Sequence, residues 1–118
     1  MDPVTVLVVD DEHNVRDSVE SILGGDYAVM RVDNGDAAVA IIYEESDQIE
    51  LLILDLGLPS MSGYEALAEM QIVDPNVVVI VITGIDPDLE QLPGVRGLLA
   101  KPFAADDLKT MADAAIWT

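Results

Sequence analysis

Val4-Thr5-Val6-Leu7-Val8-Val9-Asp10-Asp11-Glu12 is an apolar run that stops on three acids. Its branched residues and its lack of polar alternation are those of a strand covered on both faces, as in a parallel sheet. Similar runs follow at Tyr27 to Val32, Leu51 to Leu54 and Val77 to Ile82, with a short fifth near Gly97 to Ala100. Between them the apolar residues fall at helical spacing. Val15, Val19, Ile22 and Leu23 make one stripe, ended by Gly24-Gly25. Ala38, Ile41 and Ile42 make a second, entered after the turn Asp33-Asn34-Gly35. Tyr64, Leu67 and Met70 make a third, stopped near Asp74-Pro75, and Leu108, Met111, Ala112 and Ala115 make the last. Strand and helix alternate. This predicts an α/β fold, a parallel sheet with right-handed crossovers and helices on both faces.

The 118 residues suit one domain, expected to span 1–118, and the 51% apolar content is enough to fold it despite the charge. With no cysteine, disulfides and thiolate metal sites are excluded. Met1-Asp2 offers no basic leader, and Val77 to Ile82 is far short of the ~20 apolar residues of a membrane helix, so a soluble cytoplasmic domain is expected. Arg16, Arg31, Arg96, Lys101 and Lys109 face 23 acids, for a formal net charge of -18. Such a surface repels nucleic-acid phosphates and anionic lipid, so neither is an expected partner. It is either a solvated acidic exterior or a docking face for a basic partner.

In a parallel α/β sheet, ligands gather beyond the carboxyl ends of the strands. The predicted strands end on Asp10-Asp11-Glu12, on Asp55, on Thr83-Gly84 and on Lys101-Pro102. Carboxylates of Asp10, Asp11 and Asp55 brought to about 4 Å would repel by roughly 4 kcal/mol per pair at an effective dielectric near 20. They must take up protons or a cation, and an oxygen-only set with room for water suits Mg²⁺. A carboxylate is also an established nucleophile toward phosphoryl groups, with a metal cancelling the repulsion. Lys101 is a point charge suited to a phosphoryl oxygen, Thr83 offers a hydroxyl, and Gly84 leaves space beside it. Each feature alone is as readily a helix cap or a turn. Their joint placement at four strand ends is what points to phosphoryl chemistry.

The chain resembles the receiver domains of bacterial two-component response regulators, over essentially all of its length. The resemblance rests on Val8-Val9-Asp10-Asp11-Glu12, on Leu54-Asp55-Leu56-Gly57-Leu58-Pro59-Ser60-Met61-Ser62-Gly63, on Ile82-Thr83-Gly84 and on Lys101-Pro102-Phe103. It implies a five-stranded parallel sheet in the order 2-1-3-4-5 with five helices, and a cis peptide before Pro102. It implies Asp55 as phosphoacceptor, served by a sensor histidine kinase or a histidine phosphotransfer protein. Asp11, Asp55 and the main-chain carbonyl of Gly57 would ligate Mg²⁺ directly, with Asp10 acting largely through water. Thr83 would be the hydroxyl switch and Lys101 the phosphate-pairing lysine. The domain would not be an enzyme beyond its autocatalysed phosphorylation and self-dephosphorylation, and any effector would lie outside these residues.

Two features depart from the family. Leu98 stands where an aromatic is usual, three residues before the lysine, and a leucine cannot signal by the ring motion of the usual account. Only residues 84–100 separate Thr83 from Lys101, about one helical turn less than usual, and Pro87 and Pro93 interrupt that segment. The fourth helix is therefore expected to be short, distorted or replaced by a loop, with any helix confined to about Asp88 to Leu92. In many relatives it helps form the dimer or partner face, so a homodimer here is expected to use that face differently or not at all. His13 is expected as an exposed residue of a first helical turn, Met61 as a packing residue, and Trp117 as packed on a helix or exposed. The alternative function is a receiver-like interaction module that is never phosphorylated. A flavin or nucleotide binder would need an anion-binding loop where the three acids stand, and a phosphatase with an Asp nucleophile would need its second acid two residues on.

Overall fold

The computed structural model describes residues 3–117, so Met1, Asp2 and Thr118 lie outside the description. The strands are β1 (Thr5–Val9), β2 (Ala28–Val32), β3 (Leu51–Asp55), β4 (Val79–Thr83) and β5 (Gly97–Ala100). The helices are α1 (His13–Leu23), α2 (Gly35–Glu45), α3 (Gly63–Val73) and α4 (Ala105–Ile116). All strand pairs are parallel, in the order β2-β1-β3-β4-β5.

The unbroken apolar character of the strands has its reason in two cores. Alternate residues of β1, β3 and β4 face opposite ways. Leu7, Val9, Leu52, Leu54, Val79 and Val81 pack with Ala38 and Ile42 of α2 and Ala66, Leu67 and Met70 of α3. Val6, Val8, Leu51, Ile53, Ile80 and Ile82 pack with Val19 and Leu23 of α1 and Leu108 and Ala112 of α4. Every residue named in these two cores is fully buried, and full burial of one such large side chain is worth roughly 1.5–3 kcal/mol. The helix starts follow local chemistry. Asn34 caps α2 by accepting from the Ala37 N–H at 2.8 Å, and Ser62 caps α3 by accepting from the Glu65 N–H at 3.2 Å.

The crossover from β4 to β5 holds no α-helix. Its regular structure is one 3₁₀ turn, Leu89–Gln91, ended before Pro93 as expected. Three features replace a packed helix there. Leu92 is buried in the α2/α3 core, the Tyr64 hydroxyl accepts from the Asp88 N–H at 2.7 Å, and Gln71 Nε2 donates to the Pro93 carbonyl at 2.7 Å. On β5, Gly97 and Leu99 point toward α4, where Met111 lies against Gly97. Leu98 pairs with Val81 and shares its side of the sheet, yet it is 39% exposed because no crossover helix lies over it.

Candidate functional site

The strand order reverses direction between β1 and β3, so the crevice for a ligand opens at their carboxyl ends. Asp10 follows β1 directly, and its N–H is held by the Val32 carbonyl of β2 at 3.2 Å. Arg16 of α1 donates from Nη1 to the Asp10 carbonyl at 2.8 Å, fixing the chain where it leaves the sheet. Asp55 is the last residue of β3, and the Gly57 N–H donates to its Oδ1 at 3.2 Å. Behind it, Gly63 opens α3 against the backbone: a Cβ there would fall 2.4 Å from the Asp55 carbonyl oxygen and 2.5 Å from Leu56 Cα. Glycine is required at that close approach.

Asp10, Asp11 and Asp55 do converge. A carboxylate oxygen of each lies within 4.8 Å of the others. Asp10 is fully buried and Asp55 nearly so, while Asp11 is exposed. Lys101 reaches in from the far side of β4, its own N–H anchored on the Thr83 carbonyl at 2.8 Å, after which the Lys101–Pro102 peptide is cis. Its ammonium lies 2.8 Å from Asp10 Oδ2, 3.1 Å from Glu12 Oε1 and 3.3 Å from Asp55 Oδ2. Burial works against the charged lysine, but Asp10 and Glu12 outweigh it and raise its pKa. For Asp10 the balance falls the other way. Desolvation, aided by the nearby Asp55, outweighs Lys101 and the Glu12 N–H, and raises the carboxyl above its usual range. Although the ammonium is at ion-pair distance, it lacks hydrogen-bond alignment to Asp10 Oδ2, which is buried and has no aligned hydrogen bond among the described residues.

Three carboxylates gathered beside one ammonium fit a hard divalent cation, because their charge exceeds what Lys101 alone balances. Gly57 sits beside Asp55, so its peptide unit is in the same crevice.

Thr83 closes β4 and is buried, but its hydroxyl is turned to its own loop. It donates to the Ile85 carbonyl and accepts from the Ile85 N–H, each at 3.1 Å. Leu98 lies three residues from Lys101 on the half-exposed face of β5 and takes no part in the cluster. His13 is an exposed first-turn residue, as expected, paired with Asp17 at 3.1 Å. Met61 packs on the α2/α3 core. Trp117 is 68% exposed and donates from Nε1 to the Tyr27 hydroxyl at 3.2 Å. An open groove of about 600 Å³ lined by Asp26, Tyr27, Lys109, Asp113 and Trp117 lies near the start of β2, remote from the acid cluster.

Residues 6–113 match the family model described as the response regulator receiver domain. The chain belongs to that family. Among curated relatives, this receiver domain is 31% identical over 109 residues to sporulation initiation phosphotransferase F of Bacillus subtilis, covering 88% of this chain and 86% of that protein. It is 31% identical over 111 residues to response regulator MprA of Mycolicibacterium vanbaalenii, covering 90% of this chain but only 47% of the relative. A response regulator receiver domain protein from Clostridium thermocellum superposes with a TM-score of 0.85 at 28% identity, over 96% of this chain and 94% of that one. A CheX–CheY–BeF₃–Mg²⁺ complex from Borrelia burgdorferi shares the fold with a TM-score of 0.88, at 21% identity, over 95% of this chain and 88% of that one. Receiver domains are signalling domains that work with histidine kinases and phosphotransfer proteins.

Sequence reasoning had Glu12 as part of the acidic run but not as a partner of Lys101. It also missed Ile85 as the partner of the Thr83 hydroxyl, and Tyr64 as the anchor of the crossover. The acid run was a signal for the first. Neither of the others leaves a mark in the spacing of residues.

Proposed function

We propose that this receiver domain accepts a phosphoryl group on Asp55 from a phosphohistidine of a partner kinase or phosphotransfer protein. The observation that carries the reading is the convergence of the Asp10, Asp11 and Asp55 carboxylates within 4.8 Å of one another, with the Lys101 ammonium 3.3 Å from Asp55 Oδ2. Asp10, Asp11, Asp55 and the Gly57 carbonyl would hold Mg²⁺. When bound, it supplies positive charge that cancels repulsion between the incoming phosphoryl oxygens and the carboxylates. An Asp55 carboxylate oxygen attacks phosphorus, the phosphorus–nitrogen bond breaks, and the histidine nitrogen leaves with the electron pair. The product is an acyl phosphate on Asp55. Lys101 binds a phosphoryl oxygen and holds the carboxylate in line. Thr83 donates to another oxygen once it leaves Ile85. Hydrolysis by water, autocatalysed at the same site, returns the domain to its starting state.

The test is incubation with Mg²⁺ and acetyl phosphate, followed by a search for acid-stable, base-labile phosphate. Wild type should be labelled on Asp55 and Asp55→Asn should not. An unlabelled wild type would return the domain to the reading as an unphosphorylated interaction module, and a labelled Asp55→Asn variant would place the acceptor on another residue.

A further inference from the structure

We propose that Glu12 is a positioning residue that parks the Lys101 ammonium while Asp55 carries no phosphoryl group, and that it lets go when one arrives. This rests on the phosphoacceptor reading and adds a regulatory element to the same site. A lysine ammonium has three N–H donors and no more. In this structure three acids surround it: Asp10 at 2.8 Å, Glu12 at 3.1 Å and Asp55 at 3.3 Å. Of these contacts, the one to Glu12 is aligned as a hydrogen bond, while Asp10 Oδ2 goes without one. Glu12 is the outermost and most exposed of its three partners.

Glu12 also behaves unusually for its place. It is the N-cap of α1, where a short polar side chain normally turns back onto the helix, yet it makes no side-chain cap bond. Its carboxylate extends to Lys101, 89 residues away in sequence. Its N–H, which donates to Asp10 Oδ1 at 2.8 Å, belongs to the backbone and survives any side-chain change.

A phosphoryl oxygen beside Asp55 is a fourth anionic neighbour for an ammonium that already has three acids within 3.3 Å. Turning toward it draws the ammonium away from one of them. The Asp10 and Asp55 side chains are 0% and 5% exposed and cannot return to water, whereas that of Glu12 is 61% exposed and can. Glu12 is therefore the partner that leaves, and each phosphorylation breaks its contact. Removing that contact should favour the phosphorylated form by the small worth of an exposed ion pair, about 1.5- to 5-fold. Simple repulsion between Glu12 and the phosphoryl group would act in the same direction. Glu12→Asp separates the two causes, since it keeps the charge but loses the methylene needed to reach Lys101.

The experiment is a titration of wild type, Glu12→Gln and Glu12→Asp with beryllofluoride, a phosphoryl mimic, at saturating Mg²⁺, followed by the ¹⁹F resonances of the bound species. Both variants should bind about 1.5- to 5-fold more tightly than wild type. The proposal is overturned if Glu12→Gln binds no more tightly than wild type. It is also overturned if Glu12→Asp stays at the wild-type value while Glu12→Gln tightens, because the effect is then repulsion without parking. A wild type that binds no beryllofluoride sinks the phosphoacceptor reading itself and the parking role with it.

Discussion

Asp10→Asn should make the metal-free protein more stable, although it removes an acid from the heart of the site. The magnitude follows from three terms. Within the 4.8 Å spacing of the acid set, repulsion between Asp10 and Asp55 is about 3.5 kcal/mol at an effective dielectric near 20. Desolvation of the fully buried Asp10 carboxylate costs several kcal/mol more. Against these stands the attraction to Lys101 at 2.8 Å, about 6 kcal/mol on the same basis. In the variant Lys101 keeps Glu12 and Asp55 as partners. The raised pKa of Asp10 says that the unfavourable terms win, and the small difference among them is about 1–2 kcal/mol in favour of asparagine. For a chain of this size, that is a rise of about 3–10 °C in Tm.

The sign can be checked by pH. A carboxyl whose folded pKa lies above its unfolded value stabilises the fold at low pH, and that contribution is lost as pH rises through the folded value. Urea denaturation of wild type in EDTA should therefore show stability falling over that interval, and Asp10→Asn should lack this component. Mg²⁺ should reverse the ranking, since a ligand at 100 times its Kd adds about 2.7 kcal/mol to the protein that binds it. An asparagine variant less stable than wild type in EDTA near neutral pH would refute the reasoning, as would an unchanged pH slope.

Other outcomes follow from single contacts. Gly63→Ala forces a Cβ to within 2.5 Å of the Asp55–Leu56 backbone; it should cost about 1–3 kcal/mol in urea denaturation and slow acetyl phosphate labelling by displacing Asp55. Equal labelling rates would show that Asp55 is held from elsewhere. Tyr64→Phe removes the acceptor of the Asp88 N–H, at a cost of about 0.5–1.5 kcal/mol; hydrogen exchange at Asp88 should quicken while the β3 amides stay protected. Burial, with Asp113 beside it, raises the Tyr27 pKa, so a spectrophotometric titration should find this phenol ionising above the usual tyrosine range. Loss of that late step in Tyr27→Phe assigns it.

The sheet was legible because each strand is written twice over, once in its apolar run and once in the turn residue that ends it. Val6 to Val9 and Leu51 to Leu54 face both cores, so no polar alternation confuses the period. The acid trio was legible for a related reason: a parallel sheet puts all strand ends on one side, so Asp10 and Asp55 meet without any knowledge of loops. Pro87 and Pro93 announced the missing crossover helix through plain sterics. The strand order and the cis peptide came from family resemblance and not from the residues. What stayed hidden depends on the path of loops. The Thr83 hydroxyl bonds Ile85 only because the chain turns back on itself there, and Glu12 meets Lys101 only after two separate turns bring β1 and β5 ends to one rim. Spacing in the sequence encodes neither turn.

The strap that replaces a helix between β4 and β5 also decides where the domain opens first. A packed helix would share the cooperativity of the sheet, whereas this segment leans on one buried leucine and a few hydrogen bonds, two of them to side chains of α3. Segments so thinly attached open at a fraction of the global unfolding free energy. The Thr83 hydroxyl is one of its fastenings. Under the proposed function, a phosphoryl group that draws this hydroxyl away would unfasten the strap at its root, and the signal would take the form of a change in local order on a fixed scaffold.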